Sequence, residues 1–378
     1  FSSWSSTMLS LSESDIGEIE EVSPEKLAIS ARAVTTWNGN VWLNDSYTVA
    51  ITDELVITSC TQIWMDSVTR IYVDGRLTIQ GTAACPAKLH SQGVGDHWGI
   101  RFNYTSNGRG SVVDNLTINN AIYGITVFSS NPILNNITVN NADDVGIDLY
   151  DGASPRINDL VIDEAGQDFI ATPAYWRYGI GMSIGNYSTP IVNRATMNTL
   201  VTSGLNFWGN GGGLFNNITI RNVTGGINAI SVGVWIMDSR PLIQDLHVEK
   251  CDSGVYVRHY DDGVTTRAVM RRVTIEDSMY RGLKVDKYDG TNYTNYQAAV
   301  ITDLTIRGTG GPGAKTQGLA QAALEVNASG MWLEGASIID NEAPGIRLDF
   351  VDWNTEAYNV TIERSGKSGA NAHAAGLT

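Results

Sequence analysis

The chain has 378 residues, 40 acidic against 25 basic side chains, and a formal net charge of −15 at neutral pH. A chain of this length buries a sizeable core without disulfide staples, and its negative field repels phosphate backbones and anionic headgroups, which excludes nucleic-acid or peripheral-membrane binding as the main task. The sequence holds no run of 18 apolar residues that would make a transmembrane helix, and its 39 glycines and excess of Asp over Glu suit turns and strands better than helices.

The chain starts at Phe1 with no basic segment leading into an apolar one, which is the expectation for a processed or trimmed product whose export signal has been removed. Residues 1–36 read as an N-terminal cap or assembly segment, because MLSLSESDIGEIEEVSPEKLAI (8–29) mixes apolar and acidic positions and suits a short element over an open end. From Trp37 to His90 the apolar alternation is loose, as in Val41-Trp-Leu and Leu55-Val-Ile. Cys60 and Cys85 stand 25 residues apart and Cys251 is alone, which matches no zinc or CxxC spacing. The pair forms a disulfide if it lies on adjacent layers, and two free buried thiols otherwise.

A repeat dominates the rest. Eight-residue windows starting at Ser111, Pro132, Pro155, Pro190, Gly213, Pro241, Ala268, Ala299, Met331 and Thr355 align without gaps, from SVVDNLTI and PILNNITV to TEAYNVTI. Positions three, six and eight are apolar in all of them, and position seven is Thr or Ser in eight. Positions six and eight share a strand face, but three and six do so only if the chain turns at four and five. Asn and Asp, frequent there, tolerate the left-handed conformation of such a corner. Before each octet comes a second element, Gly followed by alternating apolar residues: Gly124-Ile-Thr-Val, Gly146-Ile-Asp-Leu, Gly179-Ile-Gly-Met, Gly204-Leu-Asn-Phe, Gly233-Val-Trp-Ile, Gly254-Val-Tyr-Val.

Each repeat therefore holds three short strands. Octet starts are 21 to 35 residues apart, and the excess falls in insertions near 163–177, 286–297 and 307–320. This pattern predicts an all-β fold: a single-stranded parallel β-helix over 37–365, about a dozen coils with loop insertions, followed by a flexible or contact-forming tail at 366–378. A leucine-rich repeat would need a Leu-x-x-Leu-x-Leu skeleton, and a propeller about 40 residues per blade.

The stretch DGRLTIQGT (74–82), then Trp98-Gly-Ile-Arg-Phe and the repeated octet, resembles the right-handed parallel β-helix, pectin-lyase-like superfamily, and in particular secreted and cell-surface β-helix proteins of archaea and bacteria. The resemblance covers about residues 37 to 365. It implies fold more than activity, since such coils serve lyases, hydrolases, epimerases, tailspikes, adhesins and surface layers. Polygalacturonase-like hydrolases carry Asn-Thr-Asp, Asp-Asp, Gly-His-Gly and Arg-Ile-Lys signatures, of which only Asp143-Asp144 has a counterpart. Calcium-dependent lyases group carboxylates around the metal; the candidates are Asp143, Asp144, Asp148 and Asp151, or Asp261 and Asp262 beside Arg258 and His259. Both groups also have a turn reading, Asn141-Ala-Asp-Asp-Val-Gly leading into a strand and Tyr260-Asp-Asp-Gly forming a loop tip. His259 reads as solvated, and calcium is the one cofactor the sequence suggests.

The residues between the apolar ones on the Gly-started strands must point outward. That file is aromatic in the middle: Trp208, Trp235 and Tyr256, with Tyr150 nearby and Asn206, Arg258 and Lys284 around them. Aromatic faces edged by polar groups suit a glycan; packing under the insertions or against another chain is the alternative. Ten Asn-x-Ser/Thr sequons occur. The coil pattern explains Asn115, Asn136, Asn217 and Asn359, which leaves Asn44, Asn103, Asn186, Asn222, Asn292 and Asn327 as glycosylation candidates. The acidic charge, few lysines and lack of a catalytic signature favour a non-catalytic extracellular or cell-surface protein, a surface-layer, sheath, adhesin or filament subunit whose partners are copies of itself or other surface proteins. The alternatives are a polysaccharide lyase or hydrolase and a glycan-binding module.

Overall fold

The computed structural model describes residues 32–366 apart from 94, 167–178, 226–230, 260–266, 288–296, 311–321, 328 and 350–354. The chain divides into residues 1–32 and 33–378. Apart from Arg32 the first unit lies outside the described residues, as do Asp261, Asp262, Asn292 and the tail beyond 366.

In the second unit each described strand pairs in parallel with its equivalents on the neighbouring coils, on both sides within the stack and on one side at its two ends. This is a parallel β-helix. Among the described residues the first coil is Val34–Trp37, Asn40–Leu43 and Tyr47–Val49. Among the described residues twelve full coils follow one another to Ile346–Asp349, and Glu356–Glu363 starts a further turn.

The three faces of the coil follow from the octet. Positions one to four form the first face, six to eight the second, and the Gly-started strand the third. On the second face Ile118, Val139, Ile162, Met197 and Ile220 lie above one another in register, all fully buried. Each such side chain contributes about 1.5–3 kcal/mol of burial. Ile362 holds the same place in the last described turn and is 41 % exposed, so a stacked neighbour is what buries this column.

The corner between the first two faces is one residue, position five, rather than the expected pair. In all ten octets that residue has positive φ, from Asn115 (51°) through Arg194 (58°) to Gly335 (69°) and Asn359 (53°). A second left-handed corner stands at position ten, from Asn120 (56°) and Asn141 (55°) to Asp340 (53°) and Arg364 (47°), and it ends the second face. The two Arg residues at the first corner are tied to the coil below, Arg194 to Asp159 and Arg272 to Asp245, both at 2.6 Å. These pairs are solvent-screened and add little. Outside the first face a ladder of amides runs from Asn216 to Asn193, Asn158, Asn135 and Asp114, each Nδ2 donating to the oxygen one coil before at 2.7 to 3.0 Å.

The third strand opens on Gly because the coils approach too closely for a side chain. A Cβ on Gly204, Gly233 or Gly254 would lie 2.4 to 2.7 Å from the carbonyl oxygen of the next coil's Gly. The same contact corrects one register: the stacked glycine of its coil is Gly181, not Gly179, and Met182 rather than Ile180 pairs with Ile147.

Cys60 and Cys85 are joined by a disulfide across adjacent coils, with Cα atoms 4.9 Å apart. Such a bond suits an oxidising, non-cytoplasmic compartment. Cys251 is free and buried, and burial pushes its thiol up to about 12, so it stays neutral. Among the described residues no helix is long and apolar enough to cross a membrane.

His97 is a buried strut of the third coil. Its Nδ1 accepts from the Gly99 N–H at 2.9 Å and its Nε2 faces the Asn119 carbonyl at 3.2 Å, which fixes the neutral Nε2–H tautomer. Burial lowers its pKa from 6.5 to about 4. Below pH 6.5 the unfolded chain takes a proton that the folded chain refuses. Stability is therefore whole above pH 6.5 and falls between 6.5 and 4, by on the order of 2 to 3 kcal/mol. Urea midpoints across that window should drop more steeply in the wild type than in a His97→Gln variant, in which His90, also lowered by burial, still contributes; equal slopes would refute the assignment.

Candidate functional site

Strand pairing sets the outward file of the third face residue by residue: Tyr72, Arg101, Thr126, Asp148, Ser183, Asn206, Trp235, Tyr256, Lys284, Glu325 and Arg347 on consecutive coils. Two residues on, Phe128 lies over Tyr150, and Met237, Arg258, Asp286 and Asn327 form a second file. Neighbouring coils are about 4.8 Å apart. The seven residues expected to carry a ligand thus share one face, in two groups.

The middle group is half-exposed. Asn206 stands between Ser183 and Trp235 in register. The Trp208 ring lies against the backbone at Gly185, where a Cβ would come within 2.1 Å of it, and its Nε1 donates to Ser183 Oγ at 3.1 Å. Trp235 leans on Tyr256 with ring centroids 5.3 Å apart and planes inclined by 41°. Tyr150 lies lower on the face, 5.0 Å from Phe128.

The upper group is a knot of charge. Tyr256, expected as an exposed ring, is only 2 % exposed. Its hydroxyl donates to Asp286 Oδ2 at 2.5 Å and is met by Arg258, whose Nε donates to Asp286 Oδ1 at 3.1 Å. Lys284 Nζ bridges Asp286 Oδ2 at 3.1 Å and Glu325 Oε1 at 3.4 Å and lies 5.2 Å from the Tyr256 ring centre. Burial, then the charge and hydrogen bond of Asp286, push the Tyr256 phenol far up, so it remains a proton donor. Burial alone would raise the Asp286 carboxyl, but the Arg258 hydrogen bond and the Lys284 charge outweigh it and hold it below the usual carboxylate range.

Several expectations are corrected here. Asp143, Asp144, Asp148 and Asp151 do not converge: Asp148 points out from a strand, and Asp151 sits at a left-handed corner accepting from Asn186 at 2.9 Å. Among the described residues no three His, Cys, Asp or Glu side chains are grouped to hold a metal ion. His259 is buried rather than solvated, its Nε2 3.0 Å from Ser329 Oγ. Of the sequon residues, Asn44 is exposed and Asn327 half-buried, while the amide nitrogens of Asn103, Asn186 and Asn222 already donate to Asp74, Asp151 and Asn198. Asp286 and Glu325 stand on the same outward files, where strand parity alone places them; their pairing with Lys284 has no signal in the sequence. Arg70, described below, precedes its strand and leaves no such signal.

A separate shallow depression of about 420 Å³ lies over the corner of the first two faces. Its lining, including Asn115, Thr138, Asp159 and Arg194, contains no aromatic ring, so it offers nothing for a sugar face to stack on.

No family model and no curated protein matches the sequence. Similar solved structures include an alginate lyase from Paenibacillus sp. str. FPU-7, at 12 % identity and a TM-score of 0.46, covering 82 % of this chain and 99 % of that one. The catalytic unit of a GH87 alpha-1,3-glucanase from Streptomyces thermodiastaticus is 10 % identical, with a TM-score of 0.46 over 90 % of this chain and 72 % of that one. The periplasmic alginate epimerase AlgG is 12 % identical, with a TM-score of 0.41 over 87 % and 78 %.

Proposed function

We propose that this chain is an extracellular glycan-binding β-helix that holds a polysaccharide along the outward side of its third face. The observation that carries the reading is the in-register run Ser183, Asn206 and Trp235 flanked by Trp208, with Phe128 and Tyr150 below. Half-exposed rings supply faces for stacking, and the half-exposed Asn206 amide between them can meet sugar hydroxyls, while the buried Ser183 hydroxyl holds the Trp208 ring in place. The coil repeat, about 4.8 Å, is comparable with the length of one pyranose unit, so successive coils can meet successive sugars.

Trp235→Ala tests this against a broad glycan panel. We expect at least a tenfold loss of affinity, about 1.4 kcal/mol. Trp332→Ala removes an aromatic from the first face, where that ring packs on Tyr358, and should leave binding unchanged. Binding that survives Trp235→Ala, or a wild type that binds nothing in the panel, would overturn the proposal.

An enzymatic role as a lyase or hydrolase is the second reading, favoured by the placement of the Tyr256 phenol beside Lys284, Arg258 and Asp286 at the upper end of the same file. Release of unsaturated or reducing ends from uronic-acid polymers, lost in Tyr256→Phe but present in a binding-competent wild type, separates it from pure binding. The surface-subunit reading accounts for stiffness but calls for no such file; negative-stain imaging of polymers would favour it.

A further inference from the structure

Five and six coils toward the N-terminus from Trp235, the third face carries a second constellation. Arg70 is 4 % exposed. Its Nε donates to the Trp98 carbonyl at 2.9 Å, and its guanidinium lies 4.6 Å from the Trp98 ring centre, 5.6 Å from that of Tyr123 and 5.9 Å from that of Tyr72. Tyr72 is paired with Arg101, so a second guanidinium stands one coil on. Arg101 Nε donates to Asn103 Oδ1 at 2.9 Å, and its guanidinium lies 5.6 Å from the centre of Phe128 and 5.8 Å from that of Tyr150.

Burying a cation among rings and beside another cation is costly. Burial is the main influence lowering the Arg70 pKa, and Arg101 lowers it further. The ring faces give back part of that cost but carry no negative charge. Asp74, the nearby acid, is occupied by Asn103 Nδ2 at 3.0 Å and Thr105 Oγ1 at 2.6 Å. Asp148 stands two coils beyond Arg101 on the file, behind Thr126. In a chain of net charge −15 this is a positive spot held in place by aromatic packing.

We infer that Arg70 and Arg101, with the rings of Phe128 and Tyr150, form an anion subsite for a carboxylate or sulfate group carried on a sugar. The inference rests on the glycan reading of this face. Guanidinium forks match the two oxygens of such a group, and the adjoining rings take the apolar side of the sugar that bears it.

Calorimetric titration tests it with two matched pairs: oligogalacturonate against its methyl-esterified form, and dextran sulfate against dextran. The expected result is at least tenfold tighter binding of the charged member in one pair, naming carboxylate or sulfate as the group. That preference should be erased by Arg101→Gln and partly kept by Arg101→Lys, with circular dichroism confirming that both variants fold. Trp235→Ala should weaken charged and neutral members alike. Equal affinities within both pairs, or a preference that survives Arg101→Gln, would overturn the inference. Equal affinities that still depend on Trp235 would remove the anion subsite alone, whereas no binding here or across the broad panel would remove the glycan reading with it.

Discussion

Gly254→Ala should destabilise the β-helix by about 3 kcal/mol or more, although it adds a single methyl group. The added Cβ would lie 2.4 Å from the Gly282 carbonyl oxygen and 2.4 Å from Ile275 Cγ2. The oxygen belongs to the next coil's backbone, and its position is set by parallel pairing over several residues, so it cannot move alone. Overpacking of this kind forces the layers apart. Gly39→Ala is the control: that residue has a φ of 66° with nothing within 4 Å of its Cβ, and its cost should be only the left-handed conformation, about 1 kcal/mol. Urea midpoints at unchanged slope measure both. A Gly254→Ala loss no larger than that of Gly39→Ala would mean the coils are not stacked as closely as described.

Asp286→Asn should cost about 3 kcal/mol or more, because it removes the anion around which three neighbours are gathered. The carboxylate receives Tyr256, Arg258 and Lys284, and without it Lys284 keeps Glu325 while Arg258 and the Tyr256 hydroxyl lose the anion they share. Removing one member of a buried charge cluster leaves the others uncompensated. The pH dependence has a definite sign. The folded carboxyl titrates below its ordinary value, so its contribution is present above about pH 4 and fades as pH falls through the folded value. The gap in stability between wild type and Asp286→Asn should therefore close in acid below pH 4, a window distinct from that of His97. A gap that stayed constant down to pH 2 would show that the charge on Asp286 is not what the knot requires.

The repeat made the fold legible because inward and outward positions alternate within a residue or two of a sharp corner, and aliphatic residues betray the inward ones. Position five announced its corner through Asn and Asp. Position ten did not, since Glu164, Thr199, Lys250 and Arg364 share the same left-handed corner as Asn120 and Asn141. There the geometry is imposed by the winding rather than by the residue's own preference. The glycine register slipped at Gly179 because two glycines stand two apart and either satisfies the alternation; only the close approach to Gly204 selects Gly181.

For the candidate site, parity placed Asn206, Trp235, Tyr256 and Lys284 on one file but could not tell exposure from burial. Tyr256 is covered because its hydroxyl meets Asp286, 30 residues on in the chain, and Arg258 on its own strand, and such pairings have no local pattern. The acidic neighbours of Asp143-Asp144 did not gather with it for the converse reason: Asp148 points out from a strand while Asp151, three residues on, turns to Asn186 at a left-handed corner.

From the first position of each octet to its second left-handed corner the count is ten residues in every repeat, and all variation in repeat length falls elsewhere. That decapeptide acts as a fixed-length splint, and the stretches on either side of the third strand are the ports where foreign segments can be spliced in. Because those ports border the third face, lengthening or swapping one would rebuild the walls beside the ring-lined lane while the pitch of the winding stayed the same.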